Sequence, residues 1–335
     1  MFIKANKIFY HYDRMEAYLN GGLVKPISVK MRLIDKCNLR CYYCSYKDNL
    51  SEDQMTLQDA VKVLKVLKDM GVKAIVLTGG EPTVYPDLEK FAKIAKEDFG
   101  FELALITNGV IYRDVVKYMT WIRFSLDTVN PEIYKKIKGV AALDKVLATI
   151  DKTMKRKQEL NSGCTIGAQA IVTPYNFDDN FDDIRKAIEF SESKKLDYFQ
   201  IRPLENYKYP KLDLLIIKNN MREIKRTDYK IKIITTDYKW HEIENGYKKN
   251  YKGCPAADFM GSIDIKGDFY ICCAMINDKT AKYGNLITNS AKDILDNRKT
   301  VQDNFDYRKC TVACQGSLLN QTLADFKNIQ HVNFI

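Results

Sequence analysis

The 335-residue sequence contains no apolar run approaching the roughly 18 residues that a membrane-spanning helix needs. The stretch from Met1 to Tyr12 lacks the apolar segment of a secretory leader, so a cytoplasmic location is the default expectation. Histidine is scarce: His11, His241 and His331 are too scattered to suggest a shared metal site. There is no internal repeat and no low-complexity tract. Basic residues outnumber acidic ones by 53 to 43, a net charge of +10, yet they are dispersed through mixed stretches such as Lys152–Lys157. No nucleic-acid recognition motif accompanies them, which argues against nucleic acid as a partner. A positive balance does suit a small phosphorylated or nucleotide-linked substrate. Neither nucleic acid nor membrane is expected as a partner.

What the chain does contain is nine cysteines. In a reducing compartment thiols stay free, so clustered cysteines point to metal or redox chemistry rather than to disulfides.

From Ile27 to Pro203 short apolar strands alternate with amphipathic helices. The strands are expected at Ile27–Leu33, Ala74–Leu77, Glu102–Ile106, Ile122–Leu126, Thr165–Val172 and Tyr198–Ile201. The helices are expected near Thr56–Met70, Leu88–Glu97, Tyr112–Met119, Asp144–Leu160 and Asp179–Ser193. In the first helix Leu57, Val61, Leu64 and Leu67 recur at helical spacing, and Gly71 ends it. Such alternation implies right-handed crossovers and a parallel sheet. After Pro203 the rhythm changes. Asn206–Pro210 reads as a linker, and Ser262–Cys273 reads as a hairpin turning at Lys266-Gly267-Asp268. Three segments follow: an N-terminal extension (1–26), an α/β domain (27–205) and a linker with a small C-terminal domain (206–335). The last has few long apolar segments for its size, so a metal staple would help it.

The strongest local signal is Cys37-Asn38-Leu39-Arg40-Cys41-Tyr42-Tyr43-Cys44, directly after the first strand. Three thiolates at this spacing can hold three irons of a [4Fe–4S] cluster and leave the fourth iron open. A zinc site lacking its fourth ligand, or free structural cysteines, are the plainer alternatives; structural zinc normally takes four ligands.

This loop, with Tyr43 as the aromatic residue before its last cysteine, resembles the signature of the radical S-adenosylmethionine (SAM) superfamily. Thr78-Gly79-Gly80-Glu81-Pro82, after the second strand, is similar to that family's Gly-Gly-Glu-Pro motif. Glycine lets backbone approach a ligand without Cβ interference, and a carboxylate suits an ammonium. The resemblance implies that the open iron chelates SAM and that Tyr43, Gly79, Gly80, Glu81 and Pro82 contribute to its site. It extends that role to Thr107 and Asn108 after the third strand, and to Ser125 and Asp127 after the fourth. The implied fold is α/β: a partial (β/α)6 radical SAM barrel with a small C-terminal α+β Twitch-like domain. One departure stands out. Relatives with an auxiliary cluster often carry Arg-Gly where this chain has Lys138-Gly139, and lysine lacks the bidentate fork.

Cys254, Cys272, Cys310 and Cys314 resemble the ligands of the SPASM/Twitch extension, which implies a second, auxiliary [4Fe–4S] cluster. Spacing alone leaves a four-cysteine zinc site open. Cys164 reads as a small core residue. Cys273, next to Cys272, is the remaining thiol. Neighbours on an extended strand face opposite ways, so it is either a small buried residue or a hydrogen-atom donor at the mouth of the site.

The resemblance implies an enzyme that cleaves SAM reductively to a 5′-deoxyadenosyl radical and abstracts hydrogen from a small substrate. An electron donor of the flavodoxin or ferredoxin kind would serve it. Dehydrogenation of a carbohydrate or aminocyclitol carbinol is the leading expectation. Epimerisation through Cys273 comes next, then peptide modification and, further off, methyl transfer. A non-catalytic protein that binds SAM and clusters is the reading from another class.

Overall fold

The computed structural model describes residues 5–205, 207–246, 253–310 and 314–327. Seven strands succeed one another in parallel: β1 (Ser28–Arg32), β2 (Ala74–Thr78), β3 (Glu102–Thr107), β4 (Met119–Ser125), β5 (Thr165–Val172), β6 (Tyr198–Pro203) and β7 (Lys232–Thr235). Beyond β1, β8 (Met260–Ile263) pairs with it in parallel and continues antiparallel into β9 (Asp268–Tyr270) and β10 (Lys282–Asn285). The strand order is β10-β9-β8-β1-β2-β3-β4-β5-β6-β7, an open sheet with β10 and β7 at its edges, and so a partial α/β barrel. The C-terminal hairpin thus extends the same sheet across residue 206. The helices are α1 (Tyr12–Leu19), α2 (Leu57–Asp69), α3 (Leu88–Lys93), α4 (Pro131–Lys138), α5 (Leu143–Glu159), α6 (Asp182–Ser193), α7 (Lys211–Arg226), α8 (Asp237–Asn245), α9 (Ala291–Asn304) and α10 (Ser317–Lys327). None is long and apolar enough to cross a membrane among the described residues.

Local chemistry accounts for the elements that matter to the site. Helix α2 starts where the Thr56 hydroxyl accepts the Asp59 N–H at 3.0 Å, and it buries Ala60, Val63, Leu64 and Leu67 against the sheet. Helix α4 was not apparent from periodicity, yet it carries strong end signals. Asn130 caps it, Pro131 opens it, and Gly139 closes it at φ +72°. The segment Tyr112–Met119, expected as a helix, is instead a loop with one 3₁₀ turn at Val116–Tyr118. Two β-branched valines bury themselves there, and β4 already begins at Met119, which leaves no room for a regular helix. The sequence reading also missed α7, β7 and α8, which follow the linker; of that linker, Asn206 lies outside the described residues. The hairpin forms where expected, turning through Asp264–Gly267, with Gly267 at φ +81°. Cys164 is buried in the main core, as expected for a small apolar residue. A second, smaller core joins Ile8, Met15, Tyr18 and Val24 of the N-terminal segment to Phe259 and to Leu323 of α10.

Candidate cofactor and substrate site

The loop Cys37–Cys44 leaves the C-terminal end of β1, and its backbone is clamped from two sides. The Gly80 and Glu81 N–H groups donate to the carbonyls of Ile34 and Lys36 at 3.1 and 2.9 Å. A Cβ on Gly80 would fall 2.3 Å from the Lys36 carbonyl oxygen, so only glycine permits this approach. On the other side the Arg40 N–H donates to the Lys138 carbonyl at 2.9 Å, and a Cβ on Gly139 would sit 2.7 Å from the Arg40 carbonyl oxygen. Cys37, Cys41 and Cys44 are all half-buried free thiols. Backbone N–H groups of Leu39 and Tyr46 point at the sulfurs of Cys37 and Cys44, at 3.5 and 3.4 Å. Burial pushes the Cys37 thiol up, and Cys41 up to about 11. Thiols in so dry a setting give up their protons to a metal rather than to water. Among the described residues no three His, Cys, Asp or Glu side chains converge tightly enough to hold a single ion. The donor set, all sulfur and without histidine, suits an iron–sulfur cluster, whose thiolates sit on separate irons and so stand further apart.

The strand ends beside this loop are knit together. Glu81 is only 2% exposed. It accepts from the Thr83 N–H and hydroxyl, the Thr107 hydroxyl and the Asn108 N–H at 2.7–3.0 Å. Burial raises its carboxyl against those hydrogen bonds. These protein donors fasten β2 to β3. Pro82 is buried at the start of a 3₁₀ turn, and Gly79 takes φ +123° above Arg32. The Asn108 amide donates to Asn38 at 2.7 Å and stands 3.9 Å from the Cys37 sulfur, against the thiol loop. Ser125 ends β4 half-buried, in register with Gln169.

Asp127 and Tyr43 meet Lys138 inside the protein. Lys138 and Asp127 form an ion pair at 2.6 Å, each 1% exposed. The Tyr43 hydroxyl donates to Asp127 and accepts from Lys138, and the second Asp127 oxygen accepts the Ile171 N–H at 2.9 Å. Burial alone would lower Lys138, but Asp127 and Tyr43 hold its ammonium well above the usual lysine range. Lysine therefore serves here as a buried point charge, a role that does not require the fork of arginine.

The sheet face opposite Val29, Met31, Ile122, Phe124, Phe199 and Ile201 carries a set of charges that the sequence reading missed. Strand alternation puts Lys30, Arg32, Arg123, Gln200 and Arg202 on it. Arg123 donates to Gln200 at 3.0 Å, and Arg202 to Gln169 at 3.3 Å and to Glu205 at 2.5 Å. Lys239 of α8, buried, also holds Glu205. Burial, with Arg202 nearby, pushes Arg123 down to about 10 and Lys239 down to about 8. The Nε atoms of Arg123 and Arg202 are buried without a hydrogen-bond partner. Apart from Arg32, which pairs with Asp35, the four cations Lys30, Arg123, Arg202 and Lys239 share this face with the Glu205 carboxylate, a surplus suited to an anion. The readable signal was the charge inside strands rich in apolar residues, Lys30 and Arg32 in β1, Arg123 in β4 and Arg202 in β6, which is costly unless something pairs with it.

Cys254, Cys272, Cys310 and Cys314 gather beyond β8. Burial pushes Cys254 up to about 11, with Cys314 and Cys310 adding to it. Burial also raises Cys272 and Cys314, and each feels other thiols of the set. Cys273 stands close enough to Cys272 and Cys314 to act on both, and its sulfur is 3.2 Å from the ammonium of Lys30, on the charged face of β1. Tyr46 lies between the two thiol sets: burial raises its phenol, with Cys273, Cys44 and Cys272 contributing, and the Arg32 guanidinium covers its ring at 4.9 Å. His11 and His241 take no part, and His331 lies outside the described residues.

Residues 31–190 match the model of the Radical SAM superfamily. A GTP 3′,8-cyclase of Clostridium perfringens (strain 13 / Type A) is 35% identical over 173 residues, 48% of this chain and 51% of that protein. The chain therefore spans about half the length of this relative. A GTP 3′,8-cyclase of Aliarcobacter butzleri is 25% identical over 303 residues, 82% of this chain and 88% of the other. Among solved structures, Streptococcus suis SuiB bound to S-adenosylmethionine superposes with a TM-score of 0.66 at 19% identity, over 87% of this chain and 70% of that one. That likeness is one of fold.

Proposed function

We propose, on the premise that residues 31–190 make this chain a radical SAM protein, that it is an enzyme abstracting hydrogen from a small anionic substrate, phosphorylated or nucleotide-linked. Cys37, Cys41 and Cys44 would hold a [4Fe–4S] cluster, which together with SAM and an electron from a donor of the flavodoxin or ferredoxin kind would supply the radical chemistry for hydrogen abstraction. The chain's own residues do the rest. Gly80 and Gly139 let β2 and α4 close on the thiol loop, and the Lys138–Asp127–Tyr43 set fixes its far end. Lys30, Arg123, Arg202 and Lys239 hold and orient the substrate's anionic group. In the same reading Cys254, Cys272, Cys310 and Cys314 hold an auxiliary cluster. Dehydrogenation, the leading expectation from sequence, gains no support from relatives named GTP 3′,8-cyclases, whereas their nucleotide fits a cationic face.

The observation that carries the substrate class is the set of buried guanidinium Nε atoms of Arg32, Arg123 and Arg202, on a face where Lys30, Arg123, Arg202 and Lys239 outnumber the Glu205 carboxylate. Calorimetry with GTP and with inorganic tripolyphosphate tests it on the reconstituted chain. Arg202→Ala should weaken both about 10- to 100-fold, the range of a lost charge-assisted hydrogen bond. Wild-type protein that binds neither would remove the anion reading.

A second reading, epimerisation, is favoured by the Lys30–Cys273 contact, which sets a thiol on the substrate side of β1. A hydrogen atom given by Cys273 to the face of the substrate radical opposite the one attacked would invert the carbon and leave a Cys273 thiyl radical, which one electron from the external donor and one proton would return to the thiol. Cys273→Ala should then abolish inversion while 5′-deoxyadenosine still forms. Unchanged product would remove Cys273 from the chemistry.

A further inference from the structure

We infer that Asn320 is a positioning residue whose amide N–H sets the electron affinity of the auxiliary cluster through Cys254; this rests on the reading that the second thiol set holds such a cluster. Asn320 lies on α10 and is 2% exposed. Its Oδ1 accepts the Ala256 backbone N–H at 2.6 Å, and its Nδ2 lies 3.5 Å from the Cys254 sulfur. A backbone N–H can only donate, so the amide oxygen must face Ala256 and the NH₂ is left for the sulfur. While Cys254 keeps its proton, its S–H can also reach Oδ1 at 3.7 Å. Once the sulfur is a thiolate, only the N–H···S direction remains, so the contact is oriented for the metal-bound form.

The same segment makes a second such contact, from the Gly316 N–H to the Cys314 sulfur at 3.3 Å. Helix α10 is anchored independently of the thiols, since Leu323 packs with Ile8, Met15, Tyr18 and Phe259. The donors are therefore held in place by packing. A hydrogen bond to a cluster thiolate draws charge from the sulfur and makes the cluster easier to reduce.

The test is a potentiometric titration followed by electron paramagnetic resonance, on the full chain reconstituted anaerobically. The auxiliary signal is assigned by its persistence when Cys37, Cys41 and Cys44 are replaced with alanine. Asn320→Asp keeps an oxygen for Ala256 and swaps the donor for a second oxygen. Asn320→Ala removes both groups. Wild type and both variants should carry about eight irons, the sum of two four-iron clusters. The auxiliary midpoint should fall in both variants, more in Asn320→Asp, while the SAM-side cluster stays put. Eight irons with both midpoints unchanged would overturn the inference. About four irons in wild type would instead overturn the auxiliary-cluster reading, and the inference with it.

Discussion

Replacing Cys37, Cys41 and Cys44 together with alanine should abolish the release of 5′-deoxyadenosine from SAM, down to the level of a protein-free control with the same reductant. The three thiols are the only cysteines on the loop that β2 and α4 clamp, and nothing nearby could substitute for them. His11 and His241 are remote in role, and Glu81 has both oxygens taken by Thr83, Thr107 and Asn108. The loop backbone should survive, because its clamps are main-chain hydrogen bonds from Gly80, Glu81 and Arg40 rather than sulfur contacts. Circular dichroism should therefore remain close to wild type while iron content falls by about four per chain. Normal 5′-deoxyadenosine formation by the triple variant would sink the assignment of this loop as the SAM-side site.

Lys138→Met should destabilise the chain by about 3–5 kcal/mol in urea unfolding, the usual cost of stranding one partner of a buried ion pair. Asp127 has almost no access to water, and without Lys138 its charge would face only the Tyr43 hydroxyl and the Ile171 N–H. The double variant Asp127→Asn, Lys138→Met should recover most of that loss, because removing both charges removes the penalty. The two results together separate a stranded charge from mere loss of volume. If the double variant were as unstable as Lys138→Met, packing rather than charge would be the cause. Cluster incorporation should fall with the single variant too, since Lys138 ends the helix whose carbonyls hold Arg40 and Tyr42.

Much of the site was legible because its parts are local. The thiol loop is eight consecutive residues, and Gly79-Gly80 marks a close approach that any Cβ would block. The parallel sheet followed from alternating apolar periods, and six strands fell where they were expected, with no end shifted by more than three residues. The hairpin at Gly267 was readable for the same reason, since a turn needing positive φ announces itself in sequence. Helix α4 could have been read from Asn130-Pro131 and Gly139, but its last residues were weighed only as a departure from Arg-Gly.

Sequence by itself therefore determined the parallel α/β sheet, the loop of three thiols and the presence of a second thiol set, because each is encoded by short-range spacing, while the open barrel was implied by the family resemblance. Tertiary structure alone decided which groups face one another. It turned Asp127 and Tyr43 inward to Lys138, joined β8 to β1, and set Lys30 against Cys273 across 243 residues of chain. It also brought Arg123, Arg202 and Lys239 onto one face around Glu205. Pairings of this kind depend on strand register and on the desolvation of charges in a shared interior. Neither quantity exists until residues distant in sequence have been brought together.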